Sequence, residues 1–200
     1  SLDEFLKRQA LVDSFVQLFI EVYKESWRED WTSREVVKTL HPRAGYTDSW
    51  LCLMFHQNTL CGFAYASVVR LKSVREVPKS FTGGKKEEKI ALVRATQQAV
   101  CTHLSVNAES PLLHFKEFAV AKQHRIDVPH KLRSLIYPIL CQAAHQEVEK
   151  GVIRTSRKSP MYTLAQSLLA CQEIFLYPDH DNVLMVGSVA AARAHLDHLL

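Results

Sequence analysis

The chain has 200 residues, of which 47% are hydrophobic, and this suffices for the core of one globular domain. Its 25 Lys and Arg residues exceed its 21 Asp and Glu residues, for a formal net charge of +4. The basic residues are scattered, whereas a nucleic-acid surface usually has a dense basic stripe, so composition disfavours a nucleic-acid partner. No apolar run reaches membrane-spanning length and no signal-peptide pattern is present, which disfavours a membrane partner.

The five cysteines are spread singly along the chain, at Cys52, Cys61, Cys101, Cys141 and Cys171. An odd number without Cys-x-x-Cys spacing disfavours both a disulfide framework and a structural zinc site. Free thiols that act as small apolar core residues are the better interpretation. We therefore expect a protein of the reducing cytoplasm that uses no metal.

The N-terminal region predicts two helices. Apolar residues recur at helical spacing through about the first 25 residues. Thr32 and Glu35 then have capping-box spacing, in which each side chain satisfies a backbone N–H at the helix start. This second helix ends at His41, because the residue before Pro42 avoids helical geometry.

A strand hairpin follows the two helices. Two β-rich runs, residues 50–56 and 60–69, are joined by the short polar segment 57–59. The tract 72–86 is polar and contains a Gly-Gly pair, which predicts an exposed loop. Apolar residues at helical spacing then predict a helix over about 91–104.

The second half of the chain alternates strands and helices. The predicted elements are a strand over 112–120, a helix from 129 to about 149 closed by Gly151, a strand over 152–155, a helix from 160 to about 171, strands over 174–177 and 183–187 around a turn at 178–182, and a helix over 190–200. A hairpin followed by a β-α-β-α unit predicts an α/β fold with a mixed sheet of about six strands and helices on both faces. Residues 1–200 are expected to form one domain, with the helix at about 189–200 appended to it.

Four stretches of the sequence resemble, in the same order along the chain, four segments of a known protein family. They are YKESWREDWT (23–32), LCLMFHQNTLCGFAYASVV (51–69), HFKEFAVAKQHR (114–125) and SPMYTLAQSLLACQEIF (159–175). They resemble the loop between the first two helices, the second and third strands, the fourth strand with its acyl-CoA loop, and the later helix and strand of GNAT-type N-acetyltransferases. The resemblance implies that fold, and an acyltransferase that uses acetyl-CoA or another acyl-CoA as donor.

The expected pyrophosphate loop departs from the family pattern. In the family, Arg/Gln-x-x-Gly-x-Gly/Ala brings backbone N–H groups to the phosphates at a helix N-terminus. Here Arg125 is kept, but Val128 and His130 stand at the glycine positions, and Asp127 adds a negative charge. Side-chain cations from Arg125, His130 and Lys131 are the expected replacement for the missing backbone contacts.

The resemblance also suggests a general base. Many family members have a carboxylate in the strand before the acyl-CoA loop, and Glu117 stands at that position. Strict alternation would put Glu117 on the same face as Phe115 and Ala119, where apolar neighbours would raise its pKa. A salt-bridged strand residue is the alternative interpretation. The donor thioester is expected near Phe118 and Val120.

Three further residues are candidates for the site. Family members often use a tyrosine as proton donor, but its usual place falls near Leu168 or Leu169, so Tyr162 on the same predicted helix is the candidate. Thr155 ends the strand over 152–155 and would either hydrogen-bond an acyl carbonyl or cap the following turn. His180 lies in the predicted turn over 178–182 and would titrate near neutral pH if exposed. The segment is either an ordinary turn or, as the resemblance implies, a border of the acceptor pocket.

Three functions are compatible with these residues. The first is acyl transfer from acyl-CoA to an amine on a small molecule or peptide. The second resembles the GNAT-like domains of polyketide loading modules, which act on acyl-CoA and a carrier-protein thiol through a Thr and a His, here Thr155 and His180. The third is a non-catalytic GNAT-like binding module, favoured by the missing glycines and the missing tyrosine.

Overall fold

The computed structural model describes residues 2–27, 29–41, 46–75, 85–126, 128–167, 169–179 and 181–198. The described part contains seven α-helices and six strands. The helices are α1 (Leu2–Leu6), α2 (Gln9–Trp27), α3 (Ser33–Leu40), α4 (Lys86–Leu104), α5 (Val128–His145), α6 (Pro160–Ser167) and α7 (Val189–Asp197). The strands are β1 (Tyr46–His56), β2 (Thr59–Arg70), β3 (Pro111–Val120), β4 (Lys150–Ser156), β5 (Gln172–Leu176) and β6 (Asn182–Ser188).

The N-terminal helical region differs from the prediction at one point. Instead of one helix over the first 25 residues, α1 ends at Leu6 and α2 begins at Gln9. The break brings the ring of Phe5 edge-on to that of Phe15, with centroids 5.7 Å apart. The predicted capping box of α3 is confirmed, because Thr32 accepts from the Glu35 backbone and the Glu35 side chain accepts from the Thr32 backbone.

The strands form one six-stranded mixed sheet, as predicted, and their order is β1-β2-β3-β4-β6-β5. All neighbours are antiparallel except β3 and β4, which are parallel. The β1–β2 hairpin turns at Gln57 and Asn58, whose φ angles of 46° and 65° are the two positive values that a type I′ turn requires. Thr59, predicted to lie in the turn, is the first residue of β2.

Two predicted helix ends are wrong. α5 stops at His145 rather than near 149, and Gly151 does not close it, because Gly151 lies in β4 opposite Leu113. The chain instead leaves the helix through Glu147, at a φ of 59°. α6 ends at Ser167, and Cys171 directly precedes β5. Most of the predicted loop over 72–86 falls outside the described residues.

Helices cover both faces of the sheet. The face that packs against α5, α6 and α7, called the α5 face, is lined by Ala64, Ala66, Phe115 and Ile153. The opposite face, called the α2 face, packs against α1, α2 and α3 at one end and against α4 at the other. α7 contributes Val189, Ala192 and Leu196 to the core of the α5 face. No helix in the described ranges is long and apolar enough to cross a membrane.

The sheet divides between its two parallel strands. β3 and β4 pair only at Leu113–Gly151, His114–Val152 and Phe115–Ile153. Beyond these pairs β3 stays with β2 and β4 stays with β6. We call the gap between residues 116–120 and 154–156 the split. It opens at the carboxyl ends of the strands, where open α/β sheets commonly bind ligands.

Candidate functional site

A β-bulge aims the side chains that line the split. Tyr65 of β2 pairs with Glu117, whereas the next residue, Ala66, pairs with Phe115, so Lys116 is the extra residue. Glu117 therefore lies on the α2 face, while Phe115 is part of the core of the α5 face. The expectation that these two residues share a face is wrong, because a bulge interrupts the alternation of side chains.

Tyr23 of α2 holds the carboxylate of Glu117. Its side chain is buried and its hydroxyl donates a hydrogen bond to a carboxylate oxygen. Phe19 stacks on the Tyr23 ring with centroids 4.2 Å apart, and Trp31 meets it edge-on at 6.0 Å. Burial, followed by the negative charge of Glu117, raises the pKa of Tyr23 well above its usual value. Tyr23 thus remains a protonated donor at physiological pH.

Two basic side chains accompany this pair. The Lys116 ammonium lies over the rings of Tyr46 and Tyr65, 3.8 Å and 4.8 Å from their centroids, which is cation–π geometry. Arg154, at the end of β4, is close enough to Tyr23 for its charge to lower that pKa against the larger upward effects. It also donates from Nη1 to Oδ1 of Asn182 over 2.9 Å. The α2 side of the split is therefore a charged, hydrogen-bonded cluster.

Thr155 lies on the opposite side of the split. Its side chain is only 1% exposed, and its hydroxyl has no hydrogen-bond partner among the described residues. It does not cap the following turn, because Ser156 Oγ accepts from the Lys158 N–H and Ser159 Oγ accepts from the Met161 N–H, both over 3.1 Å. A buried hydroxyl is normally paired, so one that lacks a partner among the described residues and lies beside the split suits a hydrogen bond to an acceptor atom of a ligand.

Phe118 and Val120 share the α5 face with Thr155. Phe118 is half-buried and packs on the core of that face, to which Val120 belongs. The Val120 carbonyl accepts a hydrogen bond from Nε of Arg125 over 2.9 Å. These two residues therefore give the part of β3 that borders the split an apolar surface on the α5 face.

The loop between β3 and α5 is braced by its own cations. Arg125 donates from Nη2 to Ser26 Oγ over 3.2 Å and contacts the carboxylate of Glu25 at 3.4 Å. The Lys131 ammonium donates to the carbonyls of His124 and Ile126, each over 2.5 Å. An ammonium has three donors, and these two bonds use two of them.

The other predicted site residues are distributed around this centre. Val128 is the first residue of α5, with its side chain outside the described part, and His130 is exposed in the first turn of that helix. His180 lies outside the described residues. Tyr162 donates to Glu173 and accepts from Gln166, each over 3.1 Å, on the side of β5.

The structure thus places Tyr23 between Glu117, which it hydrogen-bonds, and Arg154, whose charge acts on it. Sequence analysis did not propose Tyr23 as a site residue. The sequence signal for Tyr23 was limited to its place four residues after Phe19 on an apolar helix face, which also fits simple packing. No cluster of three or more His, Cys, Asp or Glu side chains suited to a metal occurs within the described ranges.

Solved structures with this architecture are known. An N-acyl amino acid synthase from uncultured soil microbes, FeeM, matches with a TM-score of 0.58 and 13% identity over 92% of this chain and 93% of its own. Aminoglycoside 6'-acetyltransferase type Ii matches at 0.54 and 13%, over 91% and 92%. The CoA-dependent acyl-homoserine lactone synthase BjaI, solved with SAM and isopentyl-CoA, matches at 0.55 and 8%, over 100% and 86%.

These likenesses show the fold: the chain has the GNAT-type N-acetyltransferase fold. No protein-family model matches the chain, and no curated protein sequence matches it. At such low identity the fold alone is shared, and function has to be argued from the residues of the split.

Proposed function

We propose that the chain is an acyltransferase that moves an acyl group from acyl-CoA to an amine acceptor. One observation carries the proposal: the split between β3 and β4 has a hydrogen-bonded carboxylate, Glu117, on one side, and on the other a buried hydroxyl, Thr155, without a partner among the described residues. A base on one side and a carbonyl-binding donor on the other are what amine acylation by a thioester needs.

Glu117 is the proposed general base. It removes a proton from the acceptor ammonium, directly or through a water molecule, and frees the nitrogen lone pair. The nitrogen then attacks the thioester carbon, the new C–N bond forms, and the C–S bond breaks when the tetrahedral intermediate collapses. The departing thiolate takes a proton from Tyr162 or from water, and this acid regains a proton from the nitrogen of the new amide. Tyr23 positions the Glu117 carboxylate through its hydrogen bond.

The donor would lie along the α5 face. Thr155 donates to the acyl carbonyl oxygen, and the pantetheine arm passes Phe118 and Val120 toward the loop. There Arg125, His130 and Lys131 supply positive charge to the phosphates, together with the N-terminus of α5. Side-chain charge would thus replace the backbone donors that glycines provide elsewhere in the family.

The acceptor would approach from the α2 face, where Glu117 points. We infer a small molecule or a peptide that presents an amine. The similar structures comprise an amino acid acylating synthase and an aminoglycoside acetyltransferase, so this fold accommodates amines of different size. The expected location is the cytoplasm, where acyl-CoA and free thiols coexist.

Thr155 also supports a second candidate function. A threonine hydroxyl at the donor thioester would equally suit transfer of an acyl group to the thiol of an acyl carrier protein, with His180 as its partner. Such a reaction does not need a base that deprotonates an ammonium, so Glu117 would be dispensable for it. This is the difference on which the two candidates can be separated.

The test begins with calorimetric titration of CoA and acetyl-CoA into the purified protein. Saturable binding is expected, and its absence for both ligands would overturn the proposal. Release of free CoA thiol is then followed with a panel of amino acids, an aminoglycoside, a short peptide and a carrier-protein thiol. Glu117→Gln should stop transfer to amines while donor binding persists. Glu109→Gln, at an exposed surface ion pair with Arg70, is the matched control.

A further inference from the structure

An apolar cavity lies next to the split on the α5 face. It occupies about 20 Å³ between the sheet and helices α5 and α7, and its exposed wall is entirely apolar. This exceeds the roughly 10–15 Å³ that admits a water molecule, but water needs polar partners and an apolar cavity stays dry. The side chains that surround it include Phe115, Leu140, Ile153, Leu169, Val189 and Ala192.

The cavity begins where the split ends. Phe115 and Ile153 are the last paired residues of β3 and β4 before the strands separate, and both line the cavity. Thr155 lies two residues beyond Ile153 on the same strand and therefore on the same face. A thioester whose carbonyl bonds Thr155 would direct its acyl group toward Phe115 and Ile153.

Gly151 keeps the far end of the cavity open. A Cβ atom built on Gly151 would have only Leu113 within 4 Å, at 3.4 Å from its carbonyl oxygen and 3.9 Å from its Cβ. The second glycine of the wall, Gly187, differs, because Cys171 Sγ already lies 2.9 Å from its built Cβ. From Ile153 to Gly151 the strand rises roughly 7 Å, at about 3.3 Å per residue.

We infer that the donor of this enzyme carries an aliphatic acyl chain longer than acetyl, and that the chain enters this cavity. The inference rests on the proposed function and adds the substrate class to it. An acetyl methyl group would reach only the apex at Phe115 and Ile153 and would leave the cavity empty. Because a water-sized group needs roughly 10–15 Å³, the cavity has room for about one or two carbon atoms beyond the acetyl methyl group, so a propionyl or butyryl chain would fill the apolar space and displace no ordered water.

Binding affinity against chain length tests the inference. Calorimetric titrations compare CoA, acetyl-CoA, butyryl-CoA, hexanoyl-CoA and octanoyl-CoA on the whole protein. Each buried methylene should tighten binding roughly fourfold until the cavity is full. If CoA and acetyl-CoA bind and the longer chains bind no tighter, the cavity is a packing void only and the inference fails while the proposed function stands. If none of the five binds, the proposed function fails first.

Two variants at the cavity sharpen the test. Gly151→Ala adds one methyl group at ordinary contact distance and should weaken butyryl-CoA binding by about fourfold while acetyl-CoA binding is unchanged. Leu140→Ala should move the optimum to a longer chain. Ile139→Ala is the matched control for Leu140→Ala, because Ile139 is fully buried on the same helix but does not line the cavity. It shows how much of an effect comes from lost stability alone. An equal shift in optimum for Leu140→Ala and Ile139→Ala would contradict the inference.

Discussion

The two sides of the split differ in how their polar groups are satisfied. On the α2 side, Tyr23 bonds Glu117 and Lys116 is held between two tyrosine rings. On the α5 side the surface is apolar, and Thr155 is buried without a partner among the described residues. On the first side the charged and polar side chains contact one another, whereas the Thr155 hydroxyl would be satisfied by a ligand. This contrast underlies our proposal that proton chemistry belongs to one side and donor binding to the other.

The largest expected effect comes from the charged side. Glu117→Gln keeps the shape of the side chain but removes the base, so transfer to an amine should fall by roughly 10²- to 10⁴-fold. Donor affinity, measured by calorimetry, should stay within about twofold of the native protein. A loss of donor affinity as large as the loss of rate would mean that Glu117 acts in binding, and the division between the two sides would be wrong.

The second largest effect is expected in the loop between β3 and α5, where Arg125 is proposed to bind the phosphates of the donor. Arg125→Ala removes a cation and its contact with Ser26, and CoA affinity should fall by about 10- to 100-fold, the range of hydrogen bonds to charged groups. Dephospho and pantetheine forms of the ligand should be affected less than CoA. Arg70→Ala, an exposed residue paired with Glu109, controls for overall charge. Unchanged CoA affinity in Arg125→Ala would place the phosphates elsewhere.

Thr155→Val separates binding from stability on the apolar side. Valine keeps the shape and removes a hydroxyl that has no protein partner, so the free energy of unfolding should stay equal or rise slightly. Transfer should nevertheless fall by roughly 3- to 10-fold, the range of a single neutral hydrogen bond. The control is Thr96→Val: Thr96 is equally buried, but its hydroxyl donates to the Val93 carbonyl over 2.9 Å. That variant should lose about 1 kcal/mol of stability without a change in donor binding.

The smallest effect concerns Tyr23 and alkaline pH. Because burial and Glu117 raise its pKa in the folded state, the unfolded chain releases the Tyr23 proton first as the pH rises above about 10. The free energy of unfolding should therefore decrease as the pH rises through that range. In Tyr23→Phe this decrease should be shallower, and at neutral pH the variant should lose about 1 kcal/mol. Denaturant titrations from pH 8 to pH 11 provide the comparison. Identical slopes for both proteins would mean that the folded state does not raise the pKa of Tyr23.

Local sequence was a good guide to the elements. The capping box of α3, the β1–β2 hairpin and the alternation of strands and helices are encoded by neighbouring residues, and the structure has all of them. Helix ends were predicted less well, because α5 stops at His145 where a positive φ at Glu147 turns the chain. A non-glycine residue in that conformation leaves no clear mark in the sequence.

The sequence by itself determined the mixed sheet, the strand that carries Glu117 and the loop that carries Arg125, because these depend on periodicity and short-range spacing. Only the tertiary structure decided which way Glu117 points, because the bulge at Lys116 depends on pairing with β2. It also joined Tyr23 to Glu117 across 94 positions and left a cavity beside Gly151. Contacts between distant segments arise from packing, and no local pattern of residues encodes them.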